Sequence, residues 1–201
     1  YFITRIGLGG WLVPEGYMLH NQAWIEGFES PTDIENHVVD LIGQDEANDF
    51  WELYRANYVA QADIDKIAEW GFNHIRVPFH YKQFYDSTGT ETPIGYAIVD
   101  ELITWCQPHN IYIILDMHCA PGAQNGGPIS DSDGIARLWL EDSYKELTIQ
   151  IWKEIATYYA NHTLIAGYDL INEPVLPSGV SLEEFKQLYV DITEAIREVD
   201  N

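Results

Sequence analysis

Four short apolar segments of the chain predict the strands of a sheet. They cover residues 5–9, 74–79, 111–118 and 166–172. The third segment is continuously apolar over its first five residues, which is typical of a parallel strand that is buried on both faces. We therefore expect a sheet whose strands are separated by long stretches of chain.

Apolar residues at helical spacing occupy the stretches between these segments. An amphipathic stripe over residues 48–70, followed by Gly71, predicts one long helix with a glycine C-cap. A second helix is predicted over residues 96–106. A serine followed three residues later by a glutamate predicts a capping box at the start of two further helices: Ser143 with Glu146, and Ser181 with Glu184.

The alternation of strand and helix, repeated four times, favours a parallel sheet with right-handed crossovers. Both a doubly wound sheet and an (α/β) barrel fit this order. Residues 11–47 contain glycine, proline and scattered acids, and we interpret them as an elaborated loop after the first strand. We find no interdomain linker, so residues 1–201 are expected to belong to a single domain.

Composition narrows the class of partner. The 201 residues include 46% hydrophobic and 13% aromatic residues, which indicates a globular chain. Ten basic residues against 32 acidic ones give a formal charge of −22. Such a charge repels phosphate backbones and anionic lipids, so neither nucleic acid nor a membrane surface is expected as a partner. A neutral ligand such as a sugar is compatible with it.

The chain has two cysteines, Cys106 and Cys119, and neither lies in a CxxC pair. They are too few for a disulfide framework and do not indicate a zinc site. We place Cys106 on the second helix and Cys119 after the third strand, at opposite ends of one βα unit. Because a disulfide requires Cα atoms within about 7 Å, both thiols are expected to stay reduced.

Polar side chains stand out at the ends of the predicted strands. Arg76 interrupts the second strand, Asp116 and His118 close the third, and Asn172 and Glu173 follow the fourth. Parallel strands bring their carboxyl ends to one rim, so these residues should converge there. A carboxylic acid beside an amide and a cationic group suits general acid catalysis. The alternatives are a structural Arg76–Asp116 ion pair and a hydrogen-bonded core histidine at 118.

Tryptophans offer flat apolar faces on which sugar rings stack. Trp11, just past the first strand, and Trp139, in a loop, are the candidate platforms. The alternative for each is a place in the hydrophobic core.

Four segments resemble, in the expected order, motifs of the exo-β-1,3-glucanases of glycoside hydrolase family 5. They are residues 8–15, 76–78, 115–126 and 170–174, of which 115–126 is the most specific. The resemblance implies a (β/α)8 TIM barrel of which this chain supplies about the first four βα units. It also implies a retaining glycosidase that needs no cofactor or metal and takes a β-glucan or β-glucoside.

The resemblance also implies roles for individual residues. Glu173 would be the general acid/base, and Asn172 would hold the substrate's 2-hydroxyl. Arg76 would orient the catalytic carboxylates, and His118 would line the subsite on the non-reducing side of the cleaved bond. Glu15 matches the acid that grips the terminal glucose in the exo-acting branch, and its alternative is a solvated loop acid.

The chain departs from the family pattern after residues 124–126. The exo-acting branch continues there with Phe and an Asp-Asn pair, whereas this chain has a different loop over residues 127–134. The linkage therefore stays open, with an endo-β-1,4-glucanase as the alternative. Asp131, Asp133 and Gly134 could coordinate calcium, but a turn with solvated acids is favoured because no further ligands are near in the sequence.

Length sets the last expectation. A barrel of this kind needs about 250 residues, and only four strands are predicted here. The second carboxylate of a retaining enzyme, the nucleophile, is expected on a seventh strand outside this segment. The hypothesis is the N-terminal half of a retaining β-glucan hydrolase, completed by a C-terminal half from the same gene product or a second chain. The rivals are a non-catalytic carbohydrate-binding half-barrel and a complete four-unit α/β hydrolase.

Two consequences follow from this hypothesis. A polysaccharide substrate favours secretion, although residues 1–4 do not form a secretory signal. An open half-barrel should also be poorly stable alone, because it would leave the inner face of the sheet wet. We expect four apolar residues on that face: Ile75, Val77, Ile114 and Leu170.

Overall fold

The computed structural model describes residues 3–19, 27–86 and 89–200. Its centre is a four-stranded parallel sheet in which each strand pairs with its neighbour in the sequence. The strands are β1 (Arg5–Gly7), β2 (His74–His80), β3 (Tyr112–Cys119) and β4 (Ile165–Asp169). All four predicted strands are confirmed. Because β4 ends at Asp169, Asn172 and Glu173 lie in the segment that follows it.

Seven α-helices accompany these strands in the part of the chain that the structure describes. They are α1 (Gly16–Leu19), α2 (Pro31–Ile42), α3 (Gln44–Tyr58), α4 (Gln61–Glu69), α5 (Ile94–Cys106), α6 (Asp142–Tyr158) and α7 (Leu182–Arg197). The helices α4, α5 and α6 connect successive strands, as right-handed crossovers of a parallel sheet require.

The first connection differs from its prediction. The long helix expected over residues 48–70 is two helices, because Val59 takes an extended backbone conformation (φ −122°, ψ 133°) and is buried in the core. The expected loop over residues 11–47 also contains α1, α2 and the start of α3, while its residues 20–26 lie outside the described part. Gly43, with φ of 89°, turns the chain between α2 and α3.

One of the two predicted capping boxes is present. The Ser181 hydroxyl accepts from the backbone N–H of Glu184 at 3.2 Å, and the Glu184 carboxylate accepts from the backbone N–H of Ser181 at 2.8 Å. The box at Ser143 is wrong, because α6 already begins at Asp142 and Ser143 lies within its first turn.

The hydrophobic core lies between the sheet and its helices. Ile75, Val77 and Phe79 of β2 are fully buried there, together with Ile113 and Leu115 of β3. The expectation that Ile75 and Val77 face the open side of the sheet is therefore wrong, since alternate residues of a strand point to opposite faces.

The other face of the sheet is largely polar. Arg76 lies beside Ile114 in the register of β2 and β3, and Asp116 lies beside Asp169 in that of β3 and β4. Leu170 packs against the core, which leaves Ile114 as the one residue of the expected set that lies on this face. The face of the sheet away from the core therefore exposes less apolar surface to water than we expect from the sequence. The strand positions that alternate with the core positions carry charged side chains.

The cysteines behave as predicted. Cys106 and Cys119 are both free and buried. Burial raises the pKa of the Cys106 thiol to about 12, which keeps it protonated and unreactive at neutral pH.

Among the helices that the structure describes, none is both long enough and apolar enough to cross a membrane.

Candidate active site

Five polar side chains meet above the carboxyl ends of the strands. Arg76 of β2, His118 of β3, and Asn172 and Glu173 after β4 line one cleft of about 490 Å³ together with Glu15 from the segment after β1. Six further residues complete its lining: Gly7, Gly9, Tyr17, Met18, Pro78 and Ile129. Parallel pairing in chain order places these side chains at one rim.

Arg76 links three strands at the base of the cleft. Its Nε donates to the carboxylate of Asp169 at 3.0 Å, and its Nη2 donates to Oδ1 of Asn172 at 2.8 Å. Nη2 also forms an ion pair with Asp116 at 3.0 Å. Arg76 therefore both forms the structural ion pair with Asp116 and lines the cleft. Because Arg76 occupies the amide oxygen of Asn172, the amide nitrogen must point the other way.

His118 lies between two carboxylates. Its Nδ1 is 2.7 Å from Oδ2 of Asp116, and its Nε2 is 3.8 Å from Oε1 of Glu15. Burial alone would lower the pKa of His118, but the hydrogen bonds and charges of Asp116 and Glu15 outweigh it and raise that pKa to about 9. The two carboxylates therefore both favour the protonated form of this imidazole.

Glu15 is only 6% exposed, so the alternative of a solvated loop acid is wrong. It immediately precedes α1, and its backbone carbonyl accepts from the N–H groups of Met18 and Leu19 at 3.0 and 3.3 Å. These bonds fix the backbone from which its carboxylate faces His118.

Glu173 projects an exposed side chain at the edge of the cleft. Its φ of 44° lies in the left-handed region, which costs a non-glycine residue about 1–2 kcal/mol. Two amides of the loop after β3 hold this backbone in place. The Asn125 amide donates to the carbonyl of Glu173 at 2.9 Å, and the Gln124 amide donates to the carbonyl of Asn172 at 2.9 Å.

These two amides receive no role in the sequence analysis, although Gln124 and Asn125 belong to the most specific of the four motifs. Gln124 is fully buried and also donates to the carbonyl of His118 at 2.6 Å, so it joins the ends of β3 and β4. A polar side chain that is buried in this way stays satisfied only while both segments keep their places.

Comparison with known proteins assigns the chain to a family. Residues 32–201 match the family model described as Cellulase (glycosyl hydrolase family 5). The chain belongs to glycosyl hydrolase family 5.

Relatives of this family 5 chain are found along nearly its whole length. It is 33% identical over 198 residues to a beta-xylosidase of Phanerodontia chrysosporium, covering 96% of this chain and 40% of that protein. It is 27% identical over 188 residues to a probable glucan 1,3-beta-glucosidase A of Aspergillus niger, covering 93% of this chain and 44% of that protein. The chain thus spans about two fifths of the length of these curated relatives.

A solved structure confirms the fold class. The rutinosidase from Aspergillus niger superposes with a TM-score of 0.77 at 20% identity, over 97% of this chain and 57% of that one. The four parallel strands are the first βα units of a (β/α)8 barrel. A doubly wound sheet and a four-unit hydrolase unrelated to glycosidases are both excluded for this family 5 chain.

Neither tryptophan offers a platform in this family 5 structure. Trp11 and Trp139 are each 2% exposed. The indole N–H of Trp11 donates to the carbonyl of Arg55 at 2.8 Å, and that of Trp139 donates to the carbonyl of Gln124 at 2.7 Å. The prediction that they stack on a sugar is therefore wrong: both rings are packed in the core, and Trp139 anchors the loop that carries Gln124.

The acidic turn after β3 also differs from its prediction. Asp131 is not solvated, because it accepts from the backbone N–H of Thr32 at 2.8 Å, from Nε2 of His80 at 2.9 Å and from Nζ of Lys82 at 3.1 Å. Asp133 pairs instead with Arg137 at the surface. Within residues 3–19, 27–86 and 89–200, no group of three or more His, Cys, Asp or Glu side chains is arranged to hold a metal ion.

Proposed function

We propose that the protein containing this chain is a retaining glycoside hydrolase of β-linked glucans, with exo action favoured. The observation that supports it is the cleft in which Glu15, Arg76, His118, Asn172 and Glu173 meet. Membership of family 5 supports the same reaction class. The charge of −22 suits a neutral polysaccharide, for which we propose a secreted enzyme.

In this proposal Glu173 is the general acid/base. Its exposed carboxyl group would protonate the leaving glycosidic oxygen and later deprotonate the attacking water. The amide of Asn172 turns its oxygen toward Arg76, so its N–H groups point the other way and would donate to the substrate's 2-hydroxyl.

The nucleophile would come from the C-terminal half of the barrel, in the same polypeptide or a second one. The acids of this chain beyond Pro174 lie on α7 or just after it, and none of them lines the cleft. A retaining enzyme places its second carboxylate about 5 Å from the first. We therefore propose a carboxylate at that distance from Glu173, on a strand that the later part of the barrel supplies.

The buried position of Glu15 supports exo action. Its carboxylate lies in the lining of the cleft beside His118, where we expect it to meet the hydroxyl groups of a terminal sugar. The second candidate, an endo-acting glucanase, needs a cleft that is open at both ends so that a chain can pass through.

Product analysis in the full-length protein tests this proposal. With β-glucan oligosaccharides, time-resolved proton NMR is expected to show the β-anomer first, because double displacement retains configuration. Early release of single glucose units indicates exo action, whereas a ladder of oligosaccharides indicates endo action. An α-anomer that appears first contradicts the retaining mechanism. Binding without hydrolysis of any β-glucan or β-glucoside contradicts the enzyme and favours the carbohydrate-binding half-barrel.

A further inference from the structure

Four side chains at the base of the cleft form a closed ring. Asp116 contacts Nδ1 of His118 at 2.7 Å and forms the ion pair with Arg76 at 3.0 Å. Arg76 donates to Oδ1 of Asn172 at 2.8 Å. Nδ2 of Asn172 lies 3.3 Å from Nε2 of His118, which completes the ring. Its members come from β2, from β3 and from the segment after β4.

The chemistry of the four groups fixes the direction of each contact. A guanidinium only donates, so the oxygen of Asn172 faces Arg76 and its nitrogen faces His118. A carboxylate only accepts, so Nδ1 of His118 carries a proton toward Asp116. Asp116 is the one acceptor in the ring that bears a full charge, and it determines where the histidine proton lies.

Asp116 is placed in a way that stability alone does not explain. The residue is 0% exposed, and both of its ring contacts use Oδ2. Its buried Oδ1 has no hydrogen-bond partner among the described residues. A buried polar atom without a partner destabilises the folded state, so a carboxylate kept in this position indicates a requirement of the site.

We propose that Asp116 is a positioning residue: it holds the proton on Nδ1 of His118, so that Nε2 faces the cleft and meets the amide of Asn172. Asp116 does not touch substrate in this arrangement. Its effect on hydrolysis rests on the function proposed above, whereas its effect on His118 does not.

The ring gives Nε2 of His118 two alternative partners. When Nε2 is unprotonated it accepts from Nδ2 of Asn172, at 3.3 Å. When Nε2 is protonated it can only donate, toward Glu15 at 3.8 Å, and the N–H groups of Asn172 become free for a substrate hydroxyl. The charged or titratable groups around the ring belong to four segments of the chain: Glu15 and Tyr17, Arg76, Asp116, and Asp169 with Glu173.

Nitrogen-15 NMR of His118 in the full-length protein tests the proposal. In the wild type, Nδ1 is expected to stay protonated at every pH while Nε2 alone titrates. In Asp116→Asn the midpoint of this titration should fall by about one pH unit or more, because a charged acceptor has been replaced by a neutral one. The matched control is Asp169→Asn, which removes the other carboxylate on Arg76 but leaves the acceptor of Nδ1 in place, and should shift the midpoint much less than Asp116→Asn does.

Kinetics in the same variant connect the ring to the reaction. Hydrolysis of an aryl β-glucoside by Asp116→Asn is expected to drop about 10²-fold in kcat with a smaller change in KM, as for a misplaced binding group.

Several outcomes would overturn the proposal. One is the finding, in the wild type, that neutral His118 carries its proton on Nε2 and not on Nδ1. An unchanged midpoint in Asp116→Asn does so too, and a loss of activity without a shifted midpoint would mark Asp116 as merely structural. If the midpoint shifts while the wild type hydrolyses no glycoside, the positioning role stands and the proposed function fails.

Discussion

Glu173→Gln in the full-length protein is expected to lower the hydrolysis of an unactivated β-glucan by about 10²- to 10⁴-fold. Glutamine keeps the size of the side chain, but its amide is not acidic enough to protonate the leaving oxygen. Steady-state kinetics on an oligosaccharide measure the effect. The matched control is Glu183→Gln on α7, an exposed acid whose side chain lies on the helix surface, and it should retain wild-type rates.

Rescue by azide distinguishes a variant that has lost only its acid/base from one that has failed to fold. On an aryl glycoside with a good leaving group the first step needs no acid, so the variant should accumulate its glycosyl-enzyme intermediate. Azide, which needs no base to act as a nucleophile, should then restore turnover and yield a β-glycosyl azide. Wild-type rates on the β-glucan, or the absence of rescue in a folded variant, would contradict the assignment of Glu173.

Asp131→Ala is expected to lower the free energy of unfolding by about 3–5 kcal/mol, the usual cost of removing one partner of a buried ion pair. The change leaves His80 buried without its acceptor and Lys82 without its counter-ion. It also removes the hydrogen bond that the Thr32 hydroxyl, at the start of α2, donates to the turn after β3. Urea denaturation measures the effect. Asp133→Ala is the control, since its solvent-screened pair with Arg137 should contribute far less to stability.

The effect of Asp131 should depend on pH in one direction. Burial alone would raise its pKa, but the hydrogen bond from His80 and the charge of Lys82 hold the pKa of Asp131 well below its usual range. A carboxylate whose pKa is depressed by folding stabilises the folded state above its unfolded pKa, about 3.9, and loses that contribution as the pH falls further. The difference between wild type and variant should be full at pH 7 and shrink below pH 4. A difference that stays constant down to pH 2 would contradict this account.

Local pattern and topology together were enough to predict the rim. Each strand could be identified from its apolar run, and parallel pairing brings the residues at the strand ends to one edge. That is why Arg76, His118, Asn172 and Glu173 could be placed near one another from the sequence. The family motifs added Glu15, which no periodicity singles out.

Contacts between distant residues could not be predicted in the same way. Asp131 follows β3 in a turn rich in acids and serines. Its burial becomes visible only through contacts with residues far away in the sequence, such as Thr32, 99 positions away. The alternation of Ile75 and Val77 with Arg76 places the two apolar side chains on one face of β2. Which face of the sheet the helices cover is decided by tertiary packing, which the local pattern does not show. The break between α3 and α4 at Val59 could not be predicted from the local pattern either. The helical spacing of apolar residues continues on both sides of Val59 and gives no sign of the break.

The neighbour-to-neighbour order of the sheet has a consequence for synthesis on the ribosome. Because β1, β2, β3 and β4 pair in the order in which they are translated, each new strand can dock on an edge that is already formed. Domains generally fold from the N-terminus as the chain emerges, and contacts of short sequence separation form fastest. Arg76 and Asp116 would then be held in place before Asn172 leaves the exit tunnel, so the polar ring would be assembled around residues that are already fixed.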